Sequence, residues 1–136
     1  MYPQFNWKLN PLQNHIKQTG LKRLVLAFGY SSQGFKAGWR EPAFRQEALA
    51  ACVLLPLAIW LGNTWLEQAV LAGAVVAVMV VELLNTAIEA AIDRVGPEWH
   101  VLSKKAKDLG SAAVLMSLMF CGLVWLAAFC STFSPA

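Results

Sequence analysis

The chain has 136 residues, of which 57% are hydrophobic and only 14% charged, against about 25% charged in an ordinary soluble domain. With a mean hydropathy of +0.49, this excludes a typical soluble globular fold and points to one small membrane domain. The net charge of +3 is modest, and no nucleic acid is expected as a partner.

Residues 1–14 carry prolines and asparagines and read as an irregular segment. No basic stretch followed by an apolar run is present there, so a cleaved signal peptide is not expected. Residues 15–39, HIKQTGLKRLVLAFGYSSQGFKAGW, place Ile16, Leu21, Leu24, Val25, Phe28 and Phe35 on an approximate apolar stripe. That pattern predicts an amphipathic helix on the membrane surface, with a break at Gly29–Ser32.

Three apolar runs follow. The first, ALAACVLLPLAIWL at 48–61, is shorter than the ~20 residues a span needs. The preceding EPAFRQE lengthens it to about 43–61, with Pro42 fitting a first helical turn and Pro56 expected to kink or weaken the span. The second runs over about 65–92. The third covers about 108–133 and is uncharged from Leu109 onward. Cys52, Cys121 and Cys130 all lie in these runs without CxxC spacing, and read as small packing residues rather than a disulfide or zinc site.

Lysines and arginines set the orientation. Lys8, Lys17, Lys22, Arg23, Lys36, Arg40 and Arg45 precede the first span, and Arg94, Lys104, Lys105 and Lys107 lie between the second and third. The 62–68 loop, flanked by Trp60 and Trp65, has neither residue type, nor does the C-terminal tail. The positive-inside rule then puts the N-terminus and the 93–108 loop in the cytoplasm and the C-terminus outside.

The second run ends in VVELLNTAIEAAID, residues 80–93. At 100° per residue, Glu82, Asn85, Glu89 and Asp93 fall within about 80° of one another, on a stripe roughly 16 Å long. An ionisable group at the bilayer centre costs roughly 3 kcal/mol or more. Such a stripe must face a wet cavity, a metal, a basic partner or another subunit, or serve as hydrogen-bond glue between helices. The adjoining loop offers Glu98, His100, Lys104, Lys105, Lys107 and Asp108. Carboxylates beside lysines can hold Mg²⁺ with a polyphosphate, and a helix start just after KAKD would point N–H groups at an anion. A P-loop and a kinase-type Gly-rich loop are both absent from the sequence.

AFGYSSQGFKAGW, EPAFRQE and VELLNTAIEAAIDRVGPEWHVLSKKAKDLGSAAVL together closely resemble the small integral-membrane diacylglycerol kinases of bacteria, over roughly residues 20–130. The resemblance implies an all-α homotrimer, each chain with three transmembrane helices and a surface helix, in the bacterial inner membrane with a periplasmic C-terminus. It implies transfer of the γ-phosphate of Mg·ATP to diacylglycerol, giving phosphatidic acid and ADP. Carried over by motif, Glu82 would be the catalytic base, with Asn85 orienting it or the substrate. Glu41 and Glu89 would hold Mg²⁺. Arg23, Tyr30, Glu41, Glu89, Glu98, Trp99, His100, Lys107 and Asp108 would bind the nucleotide, Trp99 standing where the family often has Tyr. Arg23, Phe28, Ser31, Arg45, Glu47, Glu82 and Ser111 would line the lipid path. Phe28 stands where smaller residues are familiar.

Two other readings compete. Undecaprenol kinases share the fold, but FRQE and DLGSAAV look more like the diacylglycerol branch than the DVAAGAV-type sequences of the polyprenol branch. A non-enzymatic trimeric scaffold or ion pathway needs polar groups on several spans. Here the first span past Glu47 and the third past Ser117 are almost wholly apolar.

Overall fold

A computed structural model describes residues 20–133. The expectations for residues 1–19 lie outside these. The chain divides into two compact units between Phe35 and Lys36. The described residues form four helices: α1 (Leu21–Gly38), α2 (Pro42–Leu61), α3 (Trp65–Val95) and α4 (Val101–Phe133). The last three are long and apolar enough to cross a membrane.

α1 starts after Gly20, whose φ of 68° suits glycine, and runs through Gly29–Ser32 without the expected break. A helical glycine costs only about 1 kcal/mol, which the flanking Leu, Ala, Phe and Lys residues offset. A tight turn follows, in which Arg40 and Glu41 donate to the Ala37 and Gly38 carbonyls at 3.0 and 2.9 Å. Pro42 opens α2, where a missing N–H is harmless. α2 remains helical through Pro56. At its end the Gln68 amide donates to the Ile59 and Gly62 carbonyls at 3.1 and 3.0 Å, satisfying acceptors that a helix end leaves open.

α3 is capped by Thr64, whose Oγ1 accepts from the Glu67 N–H at 3.2 Å, while the Glu67 carboxylate accepts from the Asn63 N–H at 2.8 Å. It extends to Val95, past the expected end near 92, and stops at Gly96 (φ 148°) followed by Pro97. α4 begins at Val101 rather than near 108. His100 starts it: its carbonyl accepts from Lys104 N–H at 3.0 Å and its Nδ1 from Leu102 N–H at 3.2 Å. The charged KKAKD stretch is thus helical, and the apolar run marks where α4 turns greasy rather than where it begins.

In the unit from Lys36 onward, α3 is the middle helix, packed on both α2 and α4. One cluster gathers Ala51, Ala74, Val75, Val78 and Cys121; another gathers Ala58, Leu61 and Leu71. The alanines let backbones approach closely, which drives association where lipid tails remove the hydrophobic incentive. Trp125 on α4 packs on both clusters, and its Nε1 donates to the Leu71 carbonyl at 3.3 Å.

Candidate functional site

Trp65 begins α3 at one end of the bundle, and Glu82 lies about 26 Å along the axis from it. That distance is close to the thickness of a hydrocarbon core, about 30 Å. Glu82 and Asn85 are the buried polar side chains among the described residues, at 5% and 8% exposure. Both face an open cavity of about 290 Å³, which Glu41, Pro42, Ala43, Thr86, Glu89, Ser111 and Val114 also line. All three helices of the bundle therefore meet around the carboxylates.

Glu41 occupies the N-cap of α2, yet its side chain makes no capping bond. A carboxylate at a helix N-terminus is favoured by the dipole, and here it is left to face the cavity. Asn85 Nδ2 donates to Glu89 Oε1 at 3.2 Å. Asn85 Oδ1 is buried without a hydrogen bond, as is Glu47 Oε2. Glu82 feels the like charges of Glu89 and Glu41, and Glu47 feels that of Glu82. Glu41, Glu82 and Glu89 thus share one cavity, where a cation would relieve their mutual repulsion.

The donors are hard oxygens, but no three His, Cys, Asp or Glu side chains among the described residues stand close enough to form a metal cage. Hard carboxylate oxygens fit Mg²⁺, which takes one or two carboxylates and completes its shell with phosphate oxygens and water.

Beyond the cavity lining, Lys107 Nζ pairs with Asp93 Oδ1 at 2.5 Å, joining the start of α4 to the end of α3. Asp108 pairs with Lys104 at 2.5 Å. Both pairs are exposed, so a polyphosphate can exchange with them at little cost. Glu98, Trp99 and His100 are exposed in the α3–α4 connection, and Arg45 is exposed on α2. Arg23, Phe28, Tyr30 and Ser31 are exposed on α1.

The structure adds residues that the sequence reading did not single out. Thr86 lies one helical turn beyond Glu82, and that i+4 spacing was a usable signal. Gly110 of α4 lies against the Asn85 amide, which no local pattern announces. A larger cavity, about 460 Å³, lies at the other end of the bundle between Leu61, Leu66, Val70 and Val124. Its carboxylate, Glu67, is engaged in capping α3. Size therefore does not mark the chemistry here; the convergence of charge does.

A model of the prokaryotic diacylglycerol kinase family matches residues 29–129. A diacylglycerol kinase of Haemophilus influenzae is 46% identical over 110 residues, covering 80% of this chain and 93% of the relative. One from Escherichia coli K12 is 45% identical over 108 residues, covering 79% and 88%. One from Pseudomonas aeruginosa is 49% identical over 109 residues, covering 79% and 89%.

Proposed function

Because the chain belongs to the prokaryotic diacylglycerol kinase family, we propose that the carboxylate-lined cavity is where it phosphorylates diacylglycerol from ATP. The observation that carries this is the convergence of Glu41, Glu82, Asn85, Glu89 and Ser111 on one cavity at the end of the bundle. A lipid alcohol lies in the headgroup layer, so a kinase acting on it needs its base at that depth.

Glu82 takes the proton from the lipid's primary hydroxyl as that oxygen bonds to the γ-phosphorus and the bond from phosphorus to the β-bridging oxygen breaks. Phosphatidic acid and ADP result. Phosphoryl transfer demands alignment and charge neutralisation more than covalent help. Glu41 and Glu89 would hold Mg²⁺, with Asn85 orienting Glu89. Bound there, Mg²⁺ supplies the neutralising charge for the phosphates. Lys107 and Asp108 exchange their present partners for the nucleotide, and Glu98, Trp99, His100, Arg23 and Tyr30 complete its site. Phe28, Ser31, Arg45, Glu47 and Ser111 guide the lipid, with Arg23 also on that path.

The remaining reading follows the charge pattern. α1 lies on the cytoplasmic face of the inner membrane, the α3–α4 connection shares that side, and the C-terminus is periplasmic. Three chains associate, covering part of the apolar surface that α4 exposes. The decisive experiment offers γ-³²P-ATP with diacylglycerol or undecaprenol separately to the purified chain in mixed micelles. Label is expected on diacylglycerol; label on the polyprenol alone would overturn the substrate assignment.

A further inference from the structure

We propose that Gly110 is a positioning residue: the bare backbone it leaves on α4 fixes the Asn85 amide that ties down Glu89, and so sets the enzyme's hold on its divalent cation. The second half rests on the reading of Glu89 as a ligand of that cation.

The observations concern three side-chain positions on two helices. Asn85 is nine-tenths buried. Its Nδ2 donates to Glu89 Oε1, and its Oδ1 is buried with no hydrogen-bond partner. A Cβ built on Gly110 would collide with that Oδ1, and would lie 3.3 Å from Asn85 Cγ and 3.9 Å from its Cβ. These Asn85 atoms are the three nearest to it, and none belongs to the backbone.

The amide cannot turn over, because that would set Oδ1 against the Glu89 carboxylate, acceptor against acceptor. It also cannot stay in place if α4 carries a side chain at 110. Any residue but glycine there displaces the amide and breaks its bond to Glu89. The disturbance falls on a side chain, so the helices keep their packing. Alanine also favours the helix over glycine. Gly110 thus stands where helix propensity argues against it and the orientation of Asn85 argues for it. Partners that hold a ligating carboxylate typically matter 10–100-fold in metal affinity.

The test uses the full chain in detergent micelles as four proteins: wild type, Gly110→Ala, Asn85→Ala and the double variant. The Asn85 side-chain amide signals, identified by their loss in Asn85→Ala, are followed by ¹⁵N NMR. Mn²⁺ binding with a non-hydrolysable ATP analogue is followed by electron paramagnetic resonance, and thermal unfolding is recorded alongside. Gly110→Ala is expected to shift the Asn85 amide signals and weaken Mn²⁺ binding about tenfold or more, without lowering the unfolding temperature. The double variant is expected to bind Mn²⁺ no worse than Asn85→Ala. Unshifted amide signals in Gly110→Ala, unchanged Mn²⁺ binding, or penalties that multiply in the double variant would overturn the proposal. If the wild type itself binds no Mn²⁺, the cation reading of Glu89 falls, and the amide signals alone decide whether Gly110 positions Asn85.

Discussion

Glu82 and Glu89 stand two turns apart on one face of α3, yet removing each should harm a different step. Glu82→Gln keeps the side chain's shape and removes its basicity. We expect kcat to fall roughly 10²–10⁴-fold, the usual worth of a general base, while ATP binding persists in equilibrium dialysis; near-normal turnover would remove Glu82 from that role. Glu89→Ala should instead raise the Mg²⁺ concentration needed for half-maximal rate by about tenfold or more, and an unchanged metal titration would count against ligation. At this scale the sequence was informative where spacing is local. The 100° step alone groups Glu82, Asn85 and Glu89, and the structure finds them lining one cavity. The partner choice of Asn85 was not legible. It depends on which rotamer Gly110 admits across a helix interface, and residues 25 positions apart carry no shared pattern.

At the scale of the helices, packing and caps carry the stability. Thr64→Ala removes the Oγ1 acceptor from the Glu67 N–H and should cost about 1 kcal/mol of stability, measured by reversible unfolding in mixed micelles. Ala74, 2% exposed on α3, should tolerate enlargement poorly. Ala74→Leu forces α3 from its neighbours and should cost about 1–3 kcal/mol. Comparable stability would mean that this interface is looser than its burial implies. The Thr64–Glu67 spacing matches a capping pair and could have been found in the sequence; reading that loop for charge alone misses it. The start of α4 was harder. Hydropathy sees the apolar part of a helix, whereas two charged turns beginning at His100 belong to the same element. Pro56 lies inside α2, which continues through it to Leu61. A helix inside a bundle tolerates a proline that would end it elsewhere, because neighbouring groups re-satisfy the backbone.

For the molecule in its membrane, the loop charges predict sidedness. In a variant lacking Cys52, Cys121 and Cys130, Asn63→Cys should react with a membrane-impermeant maleimide added outside cells. Glu98→Cys should react only after the membrane is opened. The reverse pattern would invert the topology and put the carboxylate cavity on the side without ATP. The three spans were legible because apolar length is a one-dimensional signal. The proposed association of chains is not encoded that way. Within one chain most large side chains on the apolar stretch of α4 are exposed, and composition cannot tell a surface that meets lipid from one that meets another protein.

α3 is a single helix of 31 residues, about 46 Å long, and it is pinned at its Trp65 end by the Thr64 cap and the Gln68 bonds. It therefore works as a ruler. Under the proposed topology, the depth at which Glu82 meets the headgroup layer is the bilayer's thickness measured down this shaft. Thicker or thinner host lipids make α3 tilt or the bilayer deform, at a modest cost per ångström of mismatch. Either response moves the carboxylate relative to a substrate hydroxyl that stays with the headgroups. Turnover in vesicles of graded acyl length should accordingly pass through an optimum, even when every vesicle presents the same diacylglycerol at the same surface density.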